Sequence, residues 1–301
     1  MAPILNTSFA IPKGSTILVT GVNGFIGSHV ANEFLQRGYQ VRGTARDISK
    51  AAWIKDLFHQ QYGKDNFSLW PVANLTSPHA FEKVIRGLDS GTGTMIPDAI
   101  ASALNALKAA SSEPSVKRFV YTSSSTAAVF PEAEVPVIVD SNTWNDKALS
   151  ILQNSASAPE CTNFGKSLDW KHQGYPSTSG FIRALWSGTA LDSLTNASPQ
   201  YFIDVQDDAK LHVAATLLSD VQGERIFPWA ETWNLDQILG ILRAQNPDRT
   251  FVKDFQAMRY LADIEKPRLR CIQLLQALGE PGFTSLEESI RLNSEDLARA
   301  A

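Results

Sequence analysis

The sequence predicts an α/β fold: a doubly wound parallel sheet with a smaller C-terminal lobe. Residues 16–122 alternate between short apolar runs and amphipathic helical segments, the pattern of a parallel sheet covered by helices. A glycine-rich turn joins the first apolar run to the first helix, as in dinucleotide-binding sheets. The 301 residues are enough for one large core and a smaller lobe.

The glycine-rich turn is the most informative feature. The apolar run 16–20 indicates a buried strand, and Gly21, Gly24 and Gly27 follow it at three-residue spacing. The next residues have one apolar helical face, and Gly38 ends that helix. Glycines let the backbone N–H groups approach a pyrophosphate, and the helix N-terminus favours its charge. The predicted cofactor contacts in this turn are Gly21, Asn23, Gly24, Phe25, Ile26 and Gly27.

The second predicted strand, 39–44, bears on the choice of nucleotide. An NAD site has a carboxylate near the end of this strand for the ribose 2′-OH, and an NADP site has an arginine for the 2′-phosphate. Arg46 follows the strand, and Lys50 lies one helical turn later. A guanidinium matches phosphate oxygens in bidentate geometry, so we expect NADP(H). Asp47 is the competing candidate, since it could accept from an unphosphorylated ribose.

The rest of the first half continues the alternation. Serines 123–125 follow the last strand, at the edge where parallel sheets bind ligands. Their hydroxyls can hydrogen-bond a substrate carbonyl, or alternatively cap the next turn. The segment 88–97 falls where a fourth strand is expected, but its Gly, Ser, Thr and Pro content predicts a weak or absent strand. The predicted helices are 51–62, 78–87 and 99–111, and the predicted strands are 67–72 and 117–122.

The second half alternates less regularly and is predicted to be mainly a substrate-binding lobe. Ser285 and Glu288 have capping-box spacing at the start of the last helix. We predict a nucleotide-binding domain over 1–162, to which 199–228 returns, and the substrate lobe over 163–301. The predicted strands are 199–205 and 225–227, the predicted helices are 206–218, 233–246, 267–278 and 284–292, and 140–180 is predicted to be loop-rich.

Composition excludes several classes of function. A net charge of −4 gives no reason to expect a nucleic-acid or membrane partner, and no apolar run is long enough to span a bilayer. The two cysteines, Cys161 and Cys271, cannot form a disulfide framework, which indicates a reducing compartment. With no secretory signal in the sequence, we expect a cytoplasmic protein. No cluster has metal-ligand spacing, and no Gly-x-Ser-x-Gly elbow indicates a hydrolase.

Four motifs together resemble the extended short-chain dehydrogenase/reductases, a group within the NAD-dependent epimerase/dehydratase family. They are the glycine turn Thr20–Gly27, the strand Val41–Arg46, the segment Lys117–Ser124 and the C-terminal Leu278–Gly282. The similarity covers nearly the whole chain and is strongest to fungal NADPH-dependent aldehyde and carbonyl reductases and to plant dihydroflavonol reductases.

The resemblance implies a Rossmann-type nucleotide domain, NADP(H) as cofactor and hydride transfer to a small-molecule carbonyl substrate. It identifies Ser124 with the catalytic serine that hydrogen-bonds the substrate carbonyl. Asn74 stands where an adenine-binding aspartate is common, so Asn74 and Leu75 are implied cofactor contacts. The oligomeric state does not follow from the sequence.

The catalytic acid of the family is missing. That acid is a tyrosine followed four residues later by a lysine, which lowers the phenol pKa. None of the six tyrosines in this chain has a lysine at that spacing. We therefore expect the helix that carries the pair, and the strand after it, to be absent. Lys166, His172 and Tyr175 are the candidates for a substitute acid, each with the alternative of an exposed loop residue.

Three hypotheses follow from this mixture of retained and missing motifs. The protein is an NADPH-dependent reductase with a rearranged or impaired site. Alternatively, it is a catalytically inactive NADP-binding sensor or partner protein. The third hypothesis is a truncated gene product, because the missing segments begin and end at family-like blocks, as exon-sized losses would.

Overall fold

The computed structural model describes residues 8–77, 79–85, 96–146, 162–194 and 197–300. The chain forms two compact units. The first comprises Met1–Ser123 with Asp208–Gly223, and the second comprises Ser124–Asp207 with Glu224–Ala301. The functional division predicted at residue 162 stays a prediction. Cys161 lies outside the described residues, and the buried Cys271 thiol donates to the Phe227 carbonyl at 3.0 Å.

The first unit contains a parallel sheet of three strands, as predicted. The strands lie in the order β1 (Thr16–Val19), β2 (Gln40–Ala45) and β3 (Phe67–Pro71). Helix α1 (Phe25–Gln36) connects β1 to β2, and α2 (Ala52–Tyr62) connects β2 to β3. Parallel neighbours require such crossover connections, so the alternation in the sequence is realised here.

The core of the first unit lies between this sheet and two further helices, α3 (Glu82–Ile85) and α4 (Ile96–Ser112). Helix α4 begins three residues before its predicted start, and its small alanine side chains allow close packing. Most of the segment predicted as a weak fourth strand, residues 88–95, lies outside the described residues. The core cluster consists of Leu18, Val72, Phe81, Val84, Ile85, Ala106, Ala109 and Ala110.

The strand predicted at 117–122 is not formed, which corrects that prediction. The segment carries no ladder hydrogen bonds to a described strand, and β1 pairs with β2 alone among the described residues. An extended segment becomes a strand only where a neighbour supplies backbone partners. Side chains anchor this segment instead, as described with the site below.

The second unit contains two small sheets. Strands β4 (Val137–Ile138) and β8 (Ala262–Asp263) form a parallel pair. Strands β5 (Thr162–Phe164) and β6 (Gln200–Asp204) are parallel, and β7 (Glu231–Trp233) adds to β6 in antiparallel orientation. The strand predicted at 199–205 is thereby confirmed as β6. The predicted loop-rich region contains β5, a short segment whose pairing partner lies 40 residues away in the sequence.

The second half of the chain also contains helices, and an aromatic cluster forms the core of the larger sheet. Phe164 stacks on Phe202 at a ring separation of 5.8 Å and meets Trp233 edge-on at 5.3 Å, so the three strands share one aromatic core. This burial of aromatic area stabilises the unit. The helices are α5 (Trp170–Gln173), α6 (Ser179–Ser187), α7 (Val205–Leu217), α8 (Leu235–Gln245), α9 (Glu265–Ala277) and α10 (Leu286–Ala300).

The strand predicted at 225–227 is also wrong. Phe227 and Trp229 lie in a second aromatic cluster, where Trp229 stacks on Tyr201 at 5.6 Å. Their apolar character reflects burial against side chains and not a place in a ladder. The ladder begins later, where the N–H of Ala230 donates to the Phe202 carbonyl across 2.8 Å.

At the start of helix α10, one of the two hydrogen bonds of the predicted capping box is formed. The Glu288 N–H donates to Ser285 Oγ across 3.2 Å, which satisfies one donor of the first turn. The Glu288 carboxylate does not reach back to Ser285, and binds the Arg291 guanidinium at 2.7 Å. A charged partner one turn away competes successfully for this carboxylate.

Candidate functional site

The glycine turn between β1 and α1 is a tight backbone cradle. Gly21 has a φ of +63°, a conformation that favours glycine, and its carbonyl accepts the Gly24 N–H across 2.9 Å. A side chain at Gly27 would overlap the Gly21 carbonyl, and a Cβ at Gly24 would lie 3.2 Å from it. Gly21 by its φ and Gly27 by its close contact require glycine, whereas a side chain at Gly24 would need a small shift of the turn.

The N-terminus of α1 faces this turn without a competing side chain. Gly24 is the N-cap and supplies no side-chain hydrogen bond, and the first turn carries no acidic residue. The Phe25 side chain is buried, whereas Ile26 is half-buried. The predicted contacts at Phe25 and Ile26 would therefore be made by backbone N–H groups, which suits an anion at a helix N-terminus. Asn23 is half-buried in the same turn.

A contact that the sequence prediction missed holds the turn against β2. The Val22 N–H donates to the Thr44 carbonyl across 3.0 Å, and the Val22 side chain lies against Gly43. A Cβ at Gly43 would come within 2.7 Å of Val22 Cγ1. Gly43 interrupts an otherwise ordinary strand, which was the available signal for a close approach. The turn and the end of β2 thus form one rigid edge.

Arg46 and Lys50 follow β2 at this edge and are both exposed. Among the described residues, the Arg46 guanidinium has no hydrogen bond or ion pair. Asp47 is occupied differently: its Oδ1 accepts the backbone N–H groups of Ser49 and Lys50 at 2.9 and 3.2 Å. This bonding fixes the carboxylate on its own turn, so the geometry favours Arg46 over Asp47 as the group that faces a cofactor.

The loop after β3 places Asn74 and Leu75 beside the same sheet edge. Asn74 Oδ1 accepts from the N–H and the hydroxyl of Thr76 at 2.9 and 2.7 Å. Asn105 of α4 donates to the carbonyls of residues 75, 76 and 77 at 3.0–3.2 Å. Asn105 thus braces the loop from outside, and its only sequence signal is a lone amide in an alanine-rich helix.

Ser124 begins the second unit and caps a short 3₁₀ turn, Ser125–Ala127. Its Oγ lies 2.9 Å from Thr126 Oγ1 and accepts the Thr126 N–H at 3.3 Å. The side chain is half-buried. The capping role considered as the alternative from the sequence is therefore present, and the catalytic role of Ser124 stays a prediction.

A series of partly buried polar side chains begins at Thr122, two residues before Ser124. Thr122 Oγ1 is 2.8 Å from His212 Nε2 on α7. His212 Nδ1 is 2.8 Å from the Asp208 carbonyl and 3.3 Å from Asp208 Oδ1. Burial lowers the pKa of His212, but the charge of Asp208 and its hydrogen bonds raise that pKa by more than burial lowers it. The pKa of His212 therefore lies above its ordinary value. The sequence signal was the Asp208 and His212 spacing of one helical turn.

Each of the three candidates for a substitute acid interacts with a different carboxylate. Lys166 Nζ binds Glu295 at 2.8 Å, and His172 Nδ1 lies 3.1 Å from Asp169. Burial and the Asp296 carboxylate raise the pKa of Tyr175. The family's lysine has the opposite effect on its tyrosine, so Tyr175 lacks the activation that this chemistry uses.

The described ranges hold neither a cluster of metal-binding side chains nor a membrane-spanning helix. They contain no group of three or more His, Cys, Asp or Glu side chains placed to hold a metal ion. Every helix there is too short or too polar to cross a lipid bilayer.

Comparison with known proteins decides the family. The model of the NAD dependent epimerase/dehydratase family matches residues 17–147, which include the glycine turn, Arg46 and Ser124. Aldehyde reductase 2 of Sporidiobolus salmonicolor is 31% identical over 341 aligned positions, which span 97% of this chain and 98% of the relative. The chain belongs to this family. Its members include extended short-chain reductases, as the motifs predicted.

Further relatives agree with this assignment. Ketoreductase adrE of Penicillium roqueforti is 29% identical over 94% of this family member and 96% of its own length. Gre2 of Candida albicans, solved in complex with NADPH, has the same fold, with a TM-score of 0.77 at 22% identity. That likeness covers 96% of this chain and 99% of Gre2. The α/β Rossmann-type fold class is therefore confirmed.

Proposed function

We propose that this family member is an NADPH-binding, reductase-like protein whose ancestral reaction is hydride transfer to a small aldehyde or ketone, and whose turnover is impaired. The proposal rests on one combination of features: the glycine turn packed on the end of β2 is intact, and the sequence has no Tyr-x-x-x-Lys pair. The relatives' names, an aldehyde reductase and a ketoreductase, support the reaction class. We include a cytoplasmic location in the proposal.

The cofactor part rests on charge and accessibility. The glycine turn and the N-terminus of α1 would hold the pyrophosphate, and Arg46 with Lys50 would bind the 2′-phosphate. The exposed Arg46 guanidinium is available for a phosphate, while the Asp47 carboxylate is bound to its own turn. Asn74 and Leu75 would border the adenine. Arg46 and Lys50 both carry positive charge, which favours NADP(H) over NAD(H).

The chemical part assigns one residue. NADPH supplies the hydride when bound. The Ser124 hydroxyl would donate a hydrogen bond to the carbonyl oxygen, where negative charge develops. A proton must then reach that oxygen, and no tyrosine in the chain has the lysine that would make it an effective acid. We therefore expect slow reduction or none.

The alignment with Aldehyde reductase 2 is compatible with missing segments. It has 341 positions and this chain has 301 residues, so at least 40 positions of the alignment have no residue here. The catalytic pair would have been carried by such a segment. This supports the two alternatives, an inactive NADP-binding sensor or partner and a truncated gene product.

Two measurements on the purified monodisperse protein separate these functions. The first is titration with NADPH and with NADH, followed by fluorescence or calorimetry. The second is NADPH oxidation with an activated ketone or aldehyde. Tight NADPH binding with measurable turnover supports the reductase, and tight binding without turnover supports the sensor. A protein that binds neither nucleotide contradicts the cofactor proposal and leaves the truncated product.

A further inference from the structure

We infer that His212 is the positioning residue for Ser124 and acts through Thr122. The contact that carries this inference is the 2.8 Å hydrogen bond between His212 Nε2 and Thr122 Oγ1. Thr122 lies two residues before Ser124 in the chain, so a tether at Thr122 constrains the backbone that enters Ser124. The inference rests on the proposed function insofar as Ser124 is the group that binds the carbonyl.

The segment needs a tether because it lacks a ladder. Residues 117–122 are extended and have no backbone hydrogen bond to another residue that the structure describes. Two side-chain anchors replace that ladder. The Arg118 guanidinium donates to the carbonyls of Leu218, Ser219 and Val221, just beyond the end of α7. Thr122 Oγ1 forms a hydrogen bond with His212, which lies within α7.

The protonation of His212 suits this task. Its Nδ1 faces the Asp208 carbonyl at 2.8 Å and Asp208 Oδ1 at 3.3 Å, and both oxygens can only accept. Nδ1 therefore carries a hydrogen. Nε2 accepts from the Thr122 hydroxyl when the ring is neutral and donates to its oxygen when the ring is charged. The bond to Thr122 is thus available in both states.

The tether is held in a poorly hydrated environment. The side chains of His212 and Asp208 are only 11% and 6% exposed. Thr122 itself is half-buried, so its bond to His212 is partly shielded from water and costs more to break than a fully exposed one. Asp208 orients the ring from one side, and helix α7 fixes both residues at a spacing of one turn.

The chain that leaves Ser124 is held independently. The Asn145 amide donates to the Thr126 carbonyl at 2.8 Å, and the Asn145 N–H donates to the Ala127 carbonyl at 3.0 Å. Ser124 therefore lies between an anchored turn that follows it and the Thr122 tether that precedes it. Loss of the tether alone would release the segment before Ser124 and allow the Ser124 hydroxyl to change position.

Hydrogen exchange tests the tether without requiring turnover. We compare the wild type with Thr122→Val, which keeps the shape and removes the hydroxyl, and with Thr122→Ser, which keeps the hydroxyl. His212→Leu and His212→Gln form the matching pair, since the glutamine amide reaches toward the position of Nε2. The amides of 126–129 donate to Ser124 and Ser125, so their exchange reports how firmly Ser124 is held. Their exchange should accelerate roughly five- to tenfold in Thr122→Val and His212→Leu, the loss of about one hydrogen bond, and should be rescued in Thr122→Ser and His212→Gln.

Controls separate a local effect from a loss of global stability. Amides of β2 report global unfolding and should change less than those of 126–129. Thr216→Val removes another hydroxyl of α7, which bonds the His212 carbonyl at 2.8 Å, and should leave 126–129 unchanged relative to β2. The double variant Thr122→Val/His212→Leu should add little to either single change.

Turnover supplies the second readout. In any preparation that reduces a carbonyl, Thr122→Val should lower kcat roughly tenfold while the KM and the affinity for NADPH stay constant, because a displaced donor affects the transition state. Equal exchange of 126–129 in wild type and both disruptive variants overturns the inference. Selective acceleration in a wild-type protein that binds NADPH but reduces nothing retains the tether and refutes only the proposed turnover.

Discussion

The Val22 side chain lies directly against Gly43, so that a Cβ at Gly43 would come within 2.7 Å of Val22 Cγ1. Val22 is fully buried, and its N–H donates to the Thr44 carbonyl on the same strand. The cofactor turn is therefore registered on β2, where Arg46 follows. A shift of the glycine turn would also move the end of β2, since the two are packed against each other.

Gly43→Ala should destabilise the protein and weaken NADPH binding. The added methyl must displace Val22, an overpacking cost of about 1–3 kcal/mol. Urea unfolding and nucleotide titration measure both effects, and Gly43→Ala/Val22→Ala should recover part of the stability. The matched control is Gly240→Ala on α8, where a Cβ meets nothing within 4 Å and should be tolerated. A Gly43→Ala variant as stable as Gly240→Ala would contradict the packing argument.

Arg46→Ala should remove most of the preference for NADPH over NADH. The lost charge-assisted contact is worth about 1–3 kcal/mol, and the affinity for NADH should change little. Parallel titrations with both nucleotides measure the difference, and Lys50→Ala should give a smaller effect. Lys55→Ala, an exposed lysine on α2, controls for net charge. Equal affinity of the wild type for the two nucleotides would refute the role of Arg46.

Ser124→Ala should lower kcat about 10²-fold or more in any active preparation, the expected loss for one donor to a developing oxyanion. The exposed neighbour Ser123 provides the matched control, Ser123→Ala, which should retain activity. Because Ser124 also caps a 3₁₀ turn, the unfolding free energy of each variant is measured as well. An active enzyme that is indifferent to Ser124→Ala would leave this serine with its capping role alone.

The wild-type chain should reduce carbonyls at or near background even where NADPH binds. A positioned acid typically supplies a factor of about 10²–10⁴, and the chain has no tyrosine with its lysine. Insertion of a family-like Tyr-x-x-x-Lys helix between Pro159 and Asn163, at a position that begins outside the described residues, should restore turnover if the insertion folds. The same insertion with phenylalanine in place of tyrosine is the control.

Robust turnover by the unmodified chain would show that this prediction is wrong. The acid would then be sought by single substitution of Lys166, His172 and Tyr175. Of these, Lys166 and His172 already bind carboxylates, so their loss should also affect the unfolding free energy.

His212 should make folding stability depend on pH. Its pKa in the folded protein is raised by Asp208 against the opposing effect of burial. The associated stability is fully present below the unfolded pKa of about 6.5 and is lost as the pH rises through the folded pKa. The difference in unfolding free energy between wild type and His212→Gln should therefore shrink as the pH increases from 6 to about 8.5. A constant difference, measured by urea unfolding, would contradict the raised pKa.

Local patterns in the sequence determined much of the cofactor edge. Glycine spacing after an apolar run predicts a turn because the steric requirement is local, and Arg46 follows the strand by counting alone. The strands at Gln40–Ala45 and Gln200–Asp204 were likewise predicted from short-range patterning. Residues 117–122 and 225–227 have the same apolar character but form no strands, since a ladder needs a partner that a local window cannot supply.

By itself, the sequence determined the family, the expected cofactor and the absence of a Tyr-x-x-x-Lys pair, because each depends on residue identity and spacing along the chain. Only the tertiary structure decided that the Asp47 carboxylate turns to its own loop, that Asn105 braces Leu75, and that His212 reaches Thr122 from 90 residues away. Hydrogen bonds between distant residues depend on how the backbone folds, and no periodicity in the sequence encodes that approach.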